Sequence, residues 1–417
     1  MYYKKLVKYF YIFVTFLTIF SPVNVGVLQH LLGLLFMWFT YFVFFLGLKR
    51  VKRSIMKSSK SIGSFKMFPV VISIAYLVFY PVYVQFYTGQ DVFSAAVNVF
   101  YGVSNYSSYQ EYFSESGLNS FSTIKIPFII GHGLLRFLFV VIVIRTIVYQ
   151  SKIELLEKFS LLIMSIMIIL VGLARGTSFE LFELLMIYIY AIFARRSFRG
   201  YKNELSINVL AKLGLAVVLF GIYFSYNVGV RMGDDFNALN NSGFNKSSLV
   251  FSIFPSVAVL FYFLYDYFVF GIYFTSITIT ELWFGSLSGF LSMFIPGGIK
   301  LLGIDDSYRD FVGSYVNLGA RWNSDTVVII ERYGIMVLMV FIYFLGYNST
   351  KIFNKIDENI AASVILFYVI YIMISLPVGN FITTSSANVI AILFGVLLYK
   401  YKWLNKLLFN YLIPKYV

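Results

Sequence analysis

Apolar positions along this chain come in long runs broken by short polar clusters, not in the two-residue alternation of strands or the narrow stripes of soluble amphipathic helices. An α-helix needs about 20 mostly apolar residues to cross a bilayer. Runs of that kind stand at residues 7–22, 28–48, 67–87, 125–144, 159–174, 178–194, 207–228, 331–348, 360–376 and 384–399. The pattern therefore predicts an all-α polytopic membrane protein with about ten transmembrane helices. The opening stretch MYYKKLVKYFYIFVTFLTIF has the basic-then-apolar look of a signal peptide. No small-residue cleavage site follows, so it reads as a retained first span.

Composition agrees. Of 417 residues, 59% are hydrophobic and only 12% charged, against about 25% charged in a soluble domain. The net charge of +14 would raise nucleic acid as a partner in a soluble protein, and its distribution removes that reading. Of 33 Lys and Arg, 24 fall at the N-terminus, in the segments 49–66, 145–158, 195–212 and 349–359, and in the C-terminal tail. With five acids these stretches carry +19, and the rest of the chain carries −5. They alternate with nearly Lys- and Arg-free connections, so the positive-inside bias predicts both termini in the cytoplasm. The excess charge is an orientation signal and not a nucleic-acid surface.

On that topology residues 1–228 form an N-terminal bundle of seven spans. Residues 229–330 form a large external segment, and 331–417 three more spans with a basic cytoplasmic tail. A segment near 100 residues is too long to be structureless. Its interior, LVFSIFPSVAVLFYFLYDYFVFGIYF, is apolar enough for two further spans, giving twelve. The turn of such a hairpin, near Asp266, lacks Lys and Arg, which favours interfacial or re-entrant helices at the outer leaflet instead.

Cysteine is absent and there are two histidines, so disulfides, thiolate chemistry and a His-cluster metal centre drop out. No cofactor is expected. The chemistry then rests on basic residues outside or within the spans: Arg136, Arg175, Arg231, Arg309, Arg321 and Arg332, with Lys125, Lys246 and Lys300. Arg presents a planar fork of donors that suits phosphate oxygens. Arg175 is flanked by Gly172 and Gly176, and Thr177 or Ser178 can cap the helix that follows. Glu180 and Glu183 lie close enough in sequence to pair with it instead. A second constellation runs through Pro296-Gly297-Gly298, Asp305, Asp306, Arg309, Asp310, Arg321, Asn323 and Asp325 into TVVIIERYG. Here Asp325 and Glu331 are candidate general bases. The bland alternative makes Asp325 a helix cap and gives Glu331 an Arg partner. His132 and Arg136 share a helix face four residues apart and read as a buried polar pair.

At these two constellations the sequence resembles the Wzy-type O-antigen (oligosaccharide repeat-unit) polymerases and, more distantly, the O-antigen ligases. The likeness rests on Gly172-Leu-Ala-Arg175-Gly176 opening an apolar helix and on the Tyr-rich stretch Tyr265-Asp-Tyr267-Phe-Val-Phe-Gly271. Phe294-Ile-Pro296-Gly297 and the run from Asn323-Ser324 to Tyr333-Gly334 add to it. It covers most of residues 160–350 and the topology of the chain. The resemblance implies metal-independent, inverting glycosyl transfer at the periplasmic face of a bacterial inner membrane. Donor and acceptor would both be undecaprenyl-diphosphate-linked oligosaccharides. A chain-length regulator protein is an implied partner, besides membrane lipids. Arg175, Arg231, Arg309, Arg321 and Arg332 would bind diphosphate or glycan, and a carboxylate would act on the acceptor hydroxyl. The chain departs from the family in two ways. Some polymerases carry Arg-x10-Gly in two outer loops, whereas Arg231 and Gly243 are separated by eleven residues and Arg309 and Gly319 by nine. Ligases place His where Asn323 stands. A lipid-linked oligosaccharide flippase is the reading from another class.

Overall fold

A computed structural model describes residues 2–48, 67–101, 105–116, 123–149, 153–198, 211, 214–215, 219–224, 243–284, 290–291, 293–294, 324–356, 359–379 and 385–401. The elements are α1 (Tyr2–Ile19), α2 (Val27–Gly47), α3 (Met67–Thr88), α4 (Val92–Phe100), α5 (Asn105–Glu115) and α6 (Lys125–Ile144), which a π-helical turn Arg145–Tyr149 prolongs. Then come α7 (Leu155–Arg175), α8 (Phe179–Phe198), α9 (Leu249–Ile253), α10 (Pro255–Phe268), α11 (Phe270–Phe284), α12 (Asp325–Tyr333), α13 (Ile335–Phe353), α14 (Ile360–Val378) and α15 (Ser386–Lys400). Among the described residues the only extended pairing is a bridge between Val23 and Phe244.

Six described helices are long and apolar enough to cross a membrane: α2, α3, α6 with its π turn, α7, α13 and α14. The bent pair α10–α11 would make a seventh, and α15 is a shorter apolar helix. Helix α1 is of similar length but carries Lys4, Lys5 and Lys8, and α8 carries Glu180, Glu183, Arg195 and Arg196. Of the predicted run 207–228, only residues 211, 214–215 and 219–224 are described. Phe224 there packs against Phe263 and Tyr267.

The surface is apolar where a soluble protein would be polar. Leu28, Leu31, Leu35, Phe39, Phe42 and Phe45 on α2, and Met336, Val337, Val340, Phe341 and Phe344 on α13, are all exposed. They recur at three- and four-residue steps, so each helix turns a continuous apolar stripe outward, as lipid contact requires.

Helix α14 is the hub, with every residue buried. Its Pro377 has no N–H to give the carbonyl four residues back, which leaves Met373 O without a helical partner. The Tyr11 hydroxyl donates to that oxygen at 3.0 Å and ties α1 to the hub. Tyr190 does the same for α8, donating to Ser363 O at 2.6 Å. Without a hydrophobic drive between spans, close backbone approach supplies much of the packing. It is closest where α2 crosses α13: a Cβ on Gly346 would sit 2.2 Å from Phe44 O.

Contacts collect the Lys- and Arg-bearing helix ends at one end of the bundle. Tyr149 donates to Ile356 O at 2.9 Å, and the Lys4 and Lys355 ammonium groups lie over the rings of Phe45 and Tyr399. At the opposite end, Asn24 N donates to Gly243 O at 2.8 Å and Asp325 N to Gly379 O at 2.8 Å. The apolar run within residues 229–330 becomes α10 and α11, bent by 49° at Val269. Tyr265, Phe268, Val269 and Ile272 are buried in the main core. Phe268 packs edge-on against Phe13 and Phe182, so this pair is set into the bundle as a broken span or a re-entrant hairpin would be, not laid on its surface.

Candidate functional site

The α7–α8 turn starts from its glycines. Gly176 takes φ +59°, the left-handed conformation that ends a helix without Cβ strain. Its N–H donates to Leu173 O at 3.0 Å and that of Thr177 to Gly172 O at 2.9 Å, closing the last carbonyls of α7. Helix α5 lies over this turn. Asn105 Nδ2 donates to Ala95 O at 2.7 Å and to Leu173 O at 2.9 Å. A Cβ on Gly176 would come within 2.6 Å of Tyr106 N.

Arg175 is thereby presented at the end of the bundle away from the basic helix ends. Its Nη1 donates to Glu180 Oε1 at 2.6 Å, and Thr177 Oγ1 donates to Glu180 Oε2 at 2.7 Å. The Tyr109 ring lies 5.5 Å from the guanidinium carbon. The Arg175 side chain nevertheless stays 28% accessible, against 5% for Glu180. Of the alternatives open in the sequence, then, Arg175 takes Glu180 as partner and keeps part of its donor set at the surface.

Glu183, one helical turn deeper, pairs instead with Arg136 of α6, and both are buried. His132 and Arg136 are both buried and line one cavity, as their shared face implies, but each bonds a different neighbour. His132 Nδ1 bonds the Tyr80 hydroxyl at 3.1 Å and its ring stacks on Tyr83 at 4.7 Å, while Arg136 turns to Glu183. A small cavity of about 20 Å³ is lined by Tyr80, His132, Arg136, Glu180 and Glu183 with apolar walls, room for about one water molecule. The buried Arg136–Glu183 pair in an apolar bundle is expensive to desolvate and holds only because each charge has its partner.

Asp325 stands on α12, a separate element packed against α14. It is buried at the first position of α12 and bears electrostatically on the Tyr371 hydroxyl, which Arg136 and Asn388 also approach. Asp325 is not the cap of α12, which the sequence allowed. Ser324 is, its Oγ accepting from Val327 N at 3.2 Å. Thr326 Oγ1 donates to Leu376 O at 2.7 Å and Ser324 Oγ approaches Thr275 Oγ1 at 3.1 Å, so this polar run laces α12 to α14 and α11. Glu331 is half-buried and Arg332 exposed. Six residues after Asp325 on the same helix, Glu331 points roughly 120° away from it, so the two candidate carboxylates do not share a face.

Of the sequence-derived site residues, Arg175 is bonded to Glu180 at the α7–α8 turn, Asp325 is buried at the start of α12, and Glu331 and Arg332 lie in the last turn of that helix. Arg231, Arg309 and Arg321 lie outside the described residues, as do Asp305, Asp306 and Asn323. Tyr80, Tyr83, Tyr109, Tyr371 and Asn388 were not singled out. For Tyr80 and Tyr83 the sequence signal is the recurrence Tyr76, Tyr80, Tyr83, Tyr87 on one apolar helix; Tyr109, Tyr371 and Asn388 have no signal of that kind. Compared with family models, with curated proteins and with solved structures, the chain gives no match in any of the three.

Proposed function

We propose that the chain is a membrane-embedded glycosyltransferase that polymerises lipid-linked oligosaccharide repeat units of an O-antigen or similar surface polysaccharide. It would have ten spans, both termini in the cytoplasm and residues 229–330 toward the periplasm. The observation that carries this reading is the Arg175 guanidinium. It is fixed by Glu180 and partly accessible, at the bundle end opposite the Lys- and Arg-rich helix ends. Such a fork suits the diphosphate of a polyprenyl-linked donor. In the reaction the acceptor hydroxyl oxygen bonds to the anomeric carbon with inversion as the bond from that carbon to the diphosphate oxygen breaks. The bonding pair leaves with the polyprenyl diphosphate, whose growing charge Arg175 offsets. The hydroxyl proton passes to a carboxylate. Glu331, half-buried, is more reachable for this than the buried Asp325.

A lipid-linked oligosaccharide transporter is the second reading, favoured by one feature: charged pairs buried among the spans, Arg136 with Glu183 above all. Intramembrane charges of that kind commonly line substrate paths. A strain lacking the gene separates the two. Lipid A capped with a single repeat unit supports polymerisation, and repeat units accumulating in the cytoplasmic leaflet support transport.

A further inference from the structure

The guanidinium of Arg175 is held on two sides by residues from different elements. Glu180 is the first. One carboxylate oxygen takes Nη1 of Arg175 at 2.6 Å, and the other is occupied by Thr177 at 2.7 Å. The carboxylate is thus itself anchored, at the first turn of α8 and against Gly172, where a Cβ would meet the Glu180 Cβ at 3.3 Å. Tyr109 is the second, facing the guanidinium at 5.5 Å from a separate helix. That helix is pinned to the end of α7 by Asn105, and Tyr109 is itself buried. Five N–H groups belong to an Arg side chain; Glu180 engages one nitrogen and the Tyr109 hydroxyl also bonds the guanidinium. The accessible 28% of the side chain is where the others can meet a ligand.

Arg175 and Glu180 also form a neutral pair. The seat therefore attracts an anion through aimed N–H donors rather than through net positive charge, which makes orientation the limiting quantity. We propose that Glu180 and Tyr109 are positioning residues that aim the free donors of Arg175 at a lipid-linked diphosphate, making α5 a wall of the site. The inference rests on the polymerase reading above.

The test uses full-length protein with Glu180→Gln, Glu180→Asp, Tyr109→Phe and Tyr109→Ala. Two readouts are taken: glycan laddering in a strain lacking the gene, and binding of geranylgeranyl diphosphate against geranylgeraniol by purified protein in nanodiscs. Glu180→Gln removes a negative charge beside the anion, so diphosphate binding should be at least as tight as in wild type. Laddering should fall by about tenfold to a hundredfold from lost orientation. Glu180→Asp should recover part of it. Tyr109→Phe, which keeps the ring face but loses the hydroxyl that also bonds Arg175, should ladder between wild type and Tyr109→Ala. Wild-type laddering by Glu180→Gln overturns the proposal. So does joint loss of binding and laddering that Glu180→Asp does not relieve, which marks a purely structural role. A wild-type protein that binds the alcohol as well as the diphosphate defeats the polymerase reading itself, whatever the variants do.

Discussion

Arg136 and Glu183 give the sharpest stability prediction. Both side chains are only 8% accessible, and they meet between α6 and α8 inside an apolar bundle. Replacing Glu183 with Leu leaves the guanidinium without its paired carboxylate, and Glu180, which lines the same cavity, is already engaged by Arg175 and Thr177. The Phe179 ring, 5.4 Å from the guanidinium carbon, offsets a small part of that loss. Breaking a buried pair from one side costs about 3–5 kcal/mol, because the remaining charge is buried unpaired. Each 1.4 kcal/mol is roughly a factor of ten, so the folding equilibrium constant should drop by about a hundredfold or more. The double variant Arg136→Met/Glu183→Leu removes both charges and should recover most of that loss, since apolar replacement of a whole buried pair is often near neutral. SDS titration of purified protein in mixed micelles, run as a double-mutant cycle, reads all three differences. A Glu183→Leu protein within about 0.5 kcal/mol of wild type, or a double variant no better than the single, would refute the reasoning.

Tyr11→Phe should cost about 1–3 kcal/mol in the same titration, the penalty of leaving Met373 O unsatisfied. Pro377→Ala, which restores the missing helix N–H, should abolish that difference, and an unchanged cost would show that the hydroxyl is not what satisfies the carbonyl. Gly346→Leu should destabilise by about 1–3 kcal/mol through overpacking where α2 and α13 touch. A neutral result would mean that the crossing opens freely. Asp91 caps α4, accepting from Ser94 N at 2.9 Å and Ser94 Oγ at 3.0 Å, and these bonds hold its carboxyl below the usual range. A lowered folded value means the cap stabilises α4 above the unfolded pKa, near ~3.9, and fades as pH falls through the folded value. The protection of α4 amides relative to the unstructured chain at the same pH should then fall on acidification in wild type and respond less in Asp91→Asn; equal responses would contradict the cap.

The membrane helices were readable because a span writes its length into sequence. The apolar runs at 28–48, 67–87 and 125–144 lie close to α2, α3 and α6. The behaviour of 249–284 was harder to read. An unbroken apolar run has no polar face, so periodicity cannot separate a surface helix from a buried, bent one, and the 49° break at Val269 follows from packing against α1, α2 and α14. At the site, Arg175 and its flanking glycines could be picked out, since Gly-Arg-Gly-like chemistry is local. The division of partners could not. Glu180 and Glu183 are equally near Arg175 in sequence, and only the approach of α6 gives Glu183 to Arg136. Likewise His132 and Arg136 share a helix face but are claimed by different neighbours, Tyr80 of α3 and Glu183 of α8.

The central claim, that Arg175 serves a lipid-diphosphate donor at the outer face of a polymerase, is tested most directly by one substitution. Arg175→Ala is returned to a strain lacking the gene, with the amount of protein in the membrane measured alongside the surface-glycan ladder. The account predicts membrane-inserted protein at near wild-type level, loss of the long ladder, and lipid A bearing a single repeat unit. A full ladder from the Arg175→Ala protein would contradict it.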